Sequence, residues 1–197
     1  MLSDFWSVSD SLKANFRTYV RSYTGRNIEE LTDKEFFAAN YYFVLNFLTL
    51  DAERDSYIRL GTENILDRRK KAYPEDFTDL FIAISREYGY PARMVTGYVL
   101  PSEDISEKFL HYWAETWIEG DGWKIYDPAL NKLTGTDLEN HNFSDHLALI
   151  VHETDPISPI IPAQFVDKYK FTVAETFDDP VINYSVEIET DRTYSFD

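Results

Sequence analysis

Tyr73-Pro74-Glu75-Asp76-Phe77-Thr78-Asp79-Leu80-Phe81 reads as the opening of a helix. Proline suits the first helical position, where its missing N–H would have had no intrahelical partner, and Glu75 and Asp76 set negative charge against the positive end of the macrodipole. Phe77, Leu80, Phe81, Ile84 and Tyr88 recur on one side, Gly89 supplies a stop and Pro91 stands just beyond. The spacing predicts a helix over 74–88, the best-defined element in the chain.

Helical periods precede it. Phe5, Val8, Leu12, Phe16 and Val20 predict an amphipathic helix, and Thr32-Asp33-Lys34-Glu35 has the form of a capping box opening a second, strongly apolar one. A third helical stretch is expected over about Glu53 to Arg69. After Arg93 the period shortens to two. Met94 to Leu100, Tyr112 to Ile118, Trp123 to Tyr126 and Leu147 to Val151 read as strands, with Gly120-Asp121-Gly122 turning the middle pair. A terminal β-hairpin is expected from Phe171 and Val173, a turn at Asp178-Asp179-Pro180, then Ile182, Tyr184, Val186 and Ile188. Helices first and strands second predict an α+β fold: N-terminal helices packed on an antiparallel sheet, with a C-terminal β-hairpin extension. One domain over 1–197 suits the length, with 1–39 as its helical beginning and 162–197 as its β extension.

Composition narrows the chemistry. Hydrophobic residues make up 44% and aromatic residues 16%, enough to form a core. No cysteine occurs anywhere, which excludes disulfides, thiolate metal sites and cysteine catalysis by this chain. A formal charge of −16 opposes nucleic-acid phosphate and anionic lipid, so a basic protein or peptide segment is the easier partner. The sequence holds no apolar run of about 18 residues and no basic-then-apolar leader. The expectation is therefore no membrane span or signal peptide, and a cytoplasmic location if Met1 is the native start.

Downstream of the helix stand Gly89-Tyr90-Pro91-Ala92-Arg93, then His111-Tyr112-Trp113, then Tyr126-Asp127-Pro128. With Tyr73 to Phe81 these resemble the active-site frame of the transglutaminase-like superfamily, a run close to G-x-C-x-D-F-x-x-L-F, then G-x-P-A-R, then H-x-W, then a D-P turn. The resemblance spans roughly Asn40 to Ile161 and implies a papain-like core. In it, His111 and Asp127 lie on adjacent strands facing the helix that starts at Pro74. Proline stands where that family carries its nucleophilic cysteine. An active relative would use the histidine to take the thiol proton and the aspartate to hold the imidazole's tautomer. Here the thiol is absent, and Pro74 also lacks the main-chain N–H that commonly helps form an oxyanion hole.

His111 and Asp127 are thus read as the remnant of a triad whose nucleophile position is Pro74. They persist either as a hydrogen-bonded pair that shapes the groove or as part of a new binding site. Tyr73, Asp76, Trp113 and Trp123 are the candidate groove residues, and an acidic loop of Glu103, Asp104 and Glu107 is a candidate lip for a basic partner. His141, His146 and His152, with Asp145 among them, lack the spacing of a compact metal motif, so no metal or cofactor is expected. The functional expectation is a catalytically inactive transglutaminase-like domain that binds or scaffolds a protein or peptide. The alternative is a hydrolase or acyl transferase with a non-cysteine mechanism; Tyr73, Thr78 and Ser85 are its candidate nucleophiles, and none of them can occupy position 74.

Overall fold

The computed structural model describes residues 4–51, 59–67, 71–100, 109–135, 143–161, 170–176 and 183–189. A short 3₁₀ turn, Asp4–Trp6, precedes helix α1, Asp10–Thr24. The expected start at Phe5 is corrected here: the Ser9 side chain accepts from Leu12 N at 3.3 Å and so caps the helix after Val8. Leu12, Phe16 and Val20 are buried as their spacing demands. Helix α2, Asp33–Phe47, opens with the expected capping box, Thr32 N donating to Glu35 Oε2 at 2.9 Å while Glu35 N donates back to Thr32 Oγ1.

Strand β1, Thr49–Leu50, pairs in parallel with β2, Lys71–Ala72, and helix α3, Gly61–Asp67, lies between them in sequence. Of the third helical stretch, expected over about Glu53 to Arg69, residues 53–58 and 68–69 lie outside the described residues, and helix occupies Gly61–Asp67. Arg59 and Leu60 are non-helical, because Gly61 turns the chain at φ 70° and the Leu60 N–H is held by Asp76 Oδ1 at 3.1 Å.

Helix α4, Pro74–Glu87, is the buried axis of the molecule. Phe77, Leu80, Phe81, Ile82 and Ile84 are each at most 1% exposed. Asn40 of α2 ties to it from within the core, donating to Phe81 O at 2.9 Å and to Ser85 Oγ at 3.1 Å.

Four antiparallel strands follow, β3 Ala92–Val99, β4 Phe109–Ile118, β5 Gly122–Tyr126 and β6 His146–His152, in the order β5-β4-β3-β6. Strand alternation divides the sheet's residues between two faces. Met94, Ala114 and Tyr126 join the core with α4, while Val95 and Gly97 sit opposite Trp113 and His111 on the other face. Between β5 and β6 the chain forms helix α5, Pro128–Thr134, an element that the Asp127-Pro128 turn signal alone did not reveal.

The chain divides into two units, Met1–Pro159 and Ile160–Asp197. In the second, β7 Lys170–Thr176 pairs antiparallel with β8 Asn183–Glu189; the expected turn at Asp178-Asp179-Pro180 lies outside the described residues. No helix among the described residues is long and apolar enough to cross a membrane.

Gly97 has a packing reason to be glycine. The register of β3 against β6 shifts between Thr96 and Gly97, and a Cβ at Gly97 would overlap the Leu147 carbonyl oxygen and stand 2.6 Å from the Trp113 ring. Gly97→Ala is therefore expected to lower unfolding free energy by about 1–3 kcal/mol in urea titration, because backbone and a buried indole must both yield. A loss under about 0.5 kcal/mol, the scale of an ordinary surface change, would show that the β3–β6 contact is looser than described.

Candidate functional site

Thr78, one turn into α4, donates its hydroxyl to the Tyr112 carbonyl at 3.0 Å, which brings the start of α4 up to the residue beside His111. His111 is 1% exposed on β4. Asp127 follows the last residue of β5 and caps α5, its Oδ1 accepting from Leu130 N at 2.8 Å. Its other oxygen faces the histidines. His111 Nε2 lies 2.9 Å from Asp127 Oδ2, off the line of a well-aligned hydrogen bond, and His146 Nε2 bonds the same oxygen at 3.1 Å. Two imidazoles share one carboxylate oxygen.

The spacing of His141, His146 and His152 gives His146 no metal-site role. The structure brings it into the cluster from β6, across three strands, and its Nδ1 lies 2.7 Å from Asp145 Oδ1. Both of its ring nitrogens thus face carboxylate oxygens. A carboxylate accepts and does not donate, so both nitrogens carry protons and His146 is an imidazolium. Burial opposes this charge, but the bonds to Asp127 and Asp145 outweigh it and push the His146 pKa up to about 9. Asp127 shows the complementary response: burial pushes its carboxyl up, yet His111 and His146 together hold it well below the usual carboxylate range. No short-range sequence signal marks His146, since its bond to Asp127 spans 19 residues.

The candidate groove residues separate. Trp113 is 1% exposed and packs edge-on against the His146 ring at 4.8 Å between centroids, so it supports the cluster from within and does not form an open wall. Asp76 is fully buried and both its oxygens are used, Oδ2 by Tyr73 N at 2.9 Å and Oδ1 by Leu60 N. It caps the helix and is not a groove residue. Tyr73 is half-buried at the N-cap position of α4. Trp123 is 39% exposed on β5, under the Arg93 guanidinium at 3.9 Å. His152 bonds Thr96 Oγ1 at 2.8 Å, apart from the cluster. His141 and the acidic loop at Glu103, Asp104 and Glu107 lie outside the described residues.

A second buried network holds Asp79, three residues further along the helix than Asp76. Asp79 receives Trp6 Nε1 at 2.8 Å, Arg59 Nε at 2.7 Å and Arg59 Nη2. All three neighbours donate, which keeps the carboxylate ionised, although burial pushes its pKa up to about 6. Among the described residues no group of His, Cys, Asp and Glu has the geometry to hold a metal ion. The His111–Asp127–His146 cluster can hold and orient protons.

The family model of the transglutaminase-like superfamily matches residues 19–128, a span that takes in Pro74, His111 and Asp127. No curated protein matches the chain. Among solved structures, one from Cytophaga hutchinsonii described as a "Putative Cysteine Protease" superimposes with a TM-score of 0.52 at 16% identity, over 98% of this chain and 56% of that one. A structure described as a TGase is similar with a TM-score of 0.47 at 19% identity, over 68% of this chain and 36% of that one. The chain therefore spans about half or less of the length of each of these neighbours.

The protonation of His146 makes stability depend on pH in one direction. Its folded pKa of about 9 exceeds the ordinary value of about 6.5, so its contribution is complete below about 6.5 and is lost as pH rises through about 9. Unfolding free energy from urea titration is expected to fall over that window by on the order of 3 kcal/mol, and His146→Leu should start lower and change less. A wild-type profile no steeper than that of His146→Leu would mean that the imidazole is neutral in the folded protein.

Proposed function

This chain belongs to the transglutaminase-like superfamily, and we propose that it is a catalytically inactive member that works as a protein- or peptide-binding module. One observation carries the reading: the buried His111–Asp127 pair is retained, while Pro74 holds the nucleophile's position in a chain without a single cysteine. A general base without a nucleophile does not acylate.

Two of the three side chains that could substitute, Thr78 and Ser85, are occupied. Thr78 is fully buried and shares its hydroxyl between Pro74 O and Tyr112 O; Ser85, also fully buried, donates to Phe81 O and accepts from Asn40. Both lie inside α4, away from its first residue. These commitments weigh against a hydrolase or acyl transferase working through another side chain.

Loss of chemistry leaves a fold with a strong field. A charge of −16 raises the encounter rate with cationic segments and lowers it with nucleic acid, and the effect weakens as salt shortens the screening length. The partner we propose is a protein or peptide with basic segments, held by contact as well as by charge, since exposed charge alone contributes little at physiological salt.

Assays of transamidation, peptide hydrolysis and amide hydrolysis by the purified chain are expected to stay at background. Pro74→Cys restores the thiol and its main-chain N–H together. It should react with iodoacetamide below the pH of about 8.5 at which a free cysteine ionises, and turn over weakly because Asp127 Oδ2 is shared with His146. Robust turnover by the unmodified chain, abolished in His111→Ala, would overturn the inactive reading. For the binding role, affinity capture at rising salt should retain basic partners; capture that is indifferent to both salt and partner charge would refute that specificity.

A further inference from the structure

Away from the remnant cluster, the structure holds a cleft of about 240 Å³ lined by Arg86, Pro91, Ala92, Arg93, Trp123 and Glu153. It lies where the end of α4, the start of β3, the start of β5 and the end of β6 meet. Arg86 is the unusual member. Its Nε donates to Ala92 O at 2.8 Å, its Nη2 donates to Glu153 O, and its guanidinium lies 4.2 Å over the Trp6 ring. These partners orient it, but none is a carboxylate. Among the described residues Arg86 has no salt bridge, and burial pushes its pKa down with nothing to oppose it.

Arg93 stands beside it in another state. Glu115 Oε2 takes its Nε at 2.8 Å and its Nη2 at 2.7 Å, and the guanidinium stacks on the Trp123 ring. Trp123 in turn meets Trp117 edge-on at 5.7 Å, and both indoles are exposed, at 39% and 44%. The cleft thus presents one uncompensated, half-buried cation, one compensated cation and an aromatic shelf.

We infer that this cleft binds the free C-terminal carboxylate of a peptide whose last side chain is apolar or aromatic. The carboxylate meets Arg86, where charge-assisted bonds are strongest because water is partly excluded. The side chain rests on Trp123 and Trp117, which offer a large rigid surface at little entropic cost. Size and charge choose this ligand. The cleft is smaller than the roughly 300–1,000 Å³ pockets of drug-sized ligands, so it takes a terminal residue and not a larger body. Glu153 at the rim and Glu115 behind Arg93, in a chain of charge −16, repel a polyanion but leave room for one carboxylate. The inference stands apart from the inactivity of the remnant cluster, and its failure would leave that reading intact.

The test uses the full chain and three short probes: acetyl-Gly-Ala-Phe as the free acid, the same peptide as the C-terminal amide, and acetyl-Gly-Asp-Phe amide. Two-dimensional NMR follows the Trp123 indole N–H and the Arg86 Nε–H. The free acid should shift both signals saturably and bind about tenfold or more tightly than either amide. Trp123→Ala should weaken the acid severalfold, and Arg86→Gln should erase the difference between acid and amide. Because Arg86 also holds two carbonyls, the probe comparison on the unmodified chain decides alone if that variant misfolds. Equal binding of acid and amide, equal binding of the aspartate peptide, or saturable shifts that miss Trp123 and Arg86 would each overturn the proposal.

Discussion

Two buried carboxylates in the first turn and a half of α4 hold the helical part of this molecule in place. Asp76 gathers N–H groups from Tyr73 and Leu60, and Asp79 gathers Trp6 and Arg59, so donors from three separate stretches converge on one helix. Arg59 extends the network to the Pro156 carbonyl, beyond the last strand of the sheet. Each of these acids is fully buried, and a buried charge is tolerated only when its lone pairs are met. The position of α4 therefore governs the N-terminal turn, the segment before α3 and the chain after β6 together.

That arrangement explains why a proline is acceptable at the head of the helix. Capping by Asp76 comes from inside the first turn, so the residue at position 74 contributes only its backbone shape. A chemical role could leave this position without weakening the helix. The polar cluster beyond it shows the same economy. Asp127 has one oxygen on the α5 N-terminus and the other between His111 and His146, and removing it would strand a buried imidazolium and an uncapped helix. Helix capping and the pairing with two imidazoles are each a structural reason for an aspartate at position 127.

Much of the fold was legible from short-range pattern. The Thr32–Glu35 capping box, the helix beginning at Pro74 and the change to a two-residue period after Arg93 each depend on residues within a turn or a few positions of one another. Errors arose where a local cap or a distant partner cut across the pattern. Periodicity alone carried the first helix back to Phe5, whereas Ser9 starts it later, and the run before α3 is interrupted because Leu60 is engaged by Asp76, 16 residues on.

The sequence by itself determined that no thiol chemistry is available, that His111 and Asp127 belong to one frame, and that the chain is strongly acidic, because these are matters of residue identity and order. Only the tertiary structure decided that His146 is the third member of the cluster, that Trp113 is an internal support, and that Arg86, beside an exposed aromatic shelf, has no carboxylate partner among the described residues. The physical reason is separation along the chain. Trp6 finds Asp79 across 73 residues and His146 finds Asp127 across 19, and contacts of that range follow from strand order and helix packing, which no local spacing encodes.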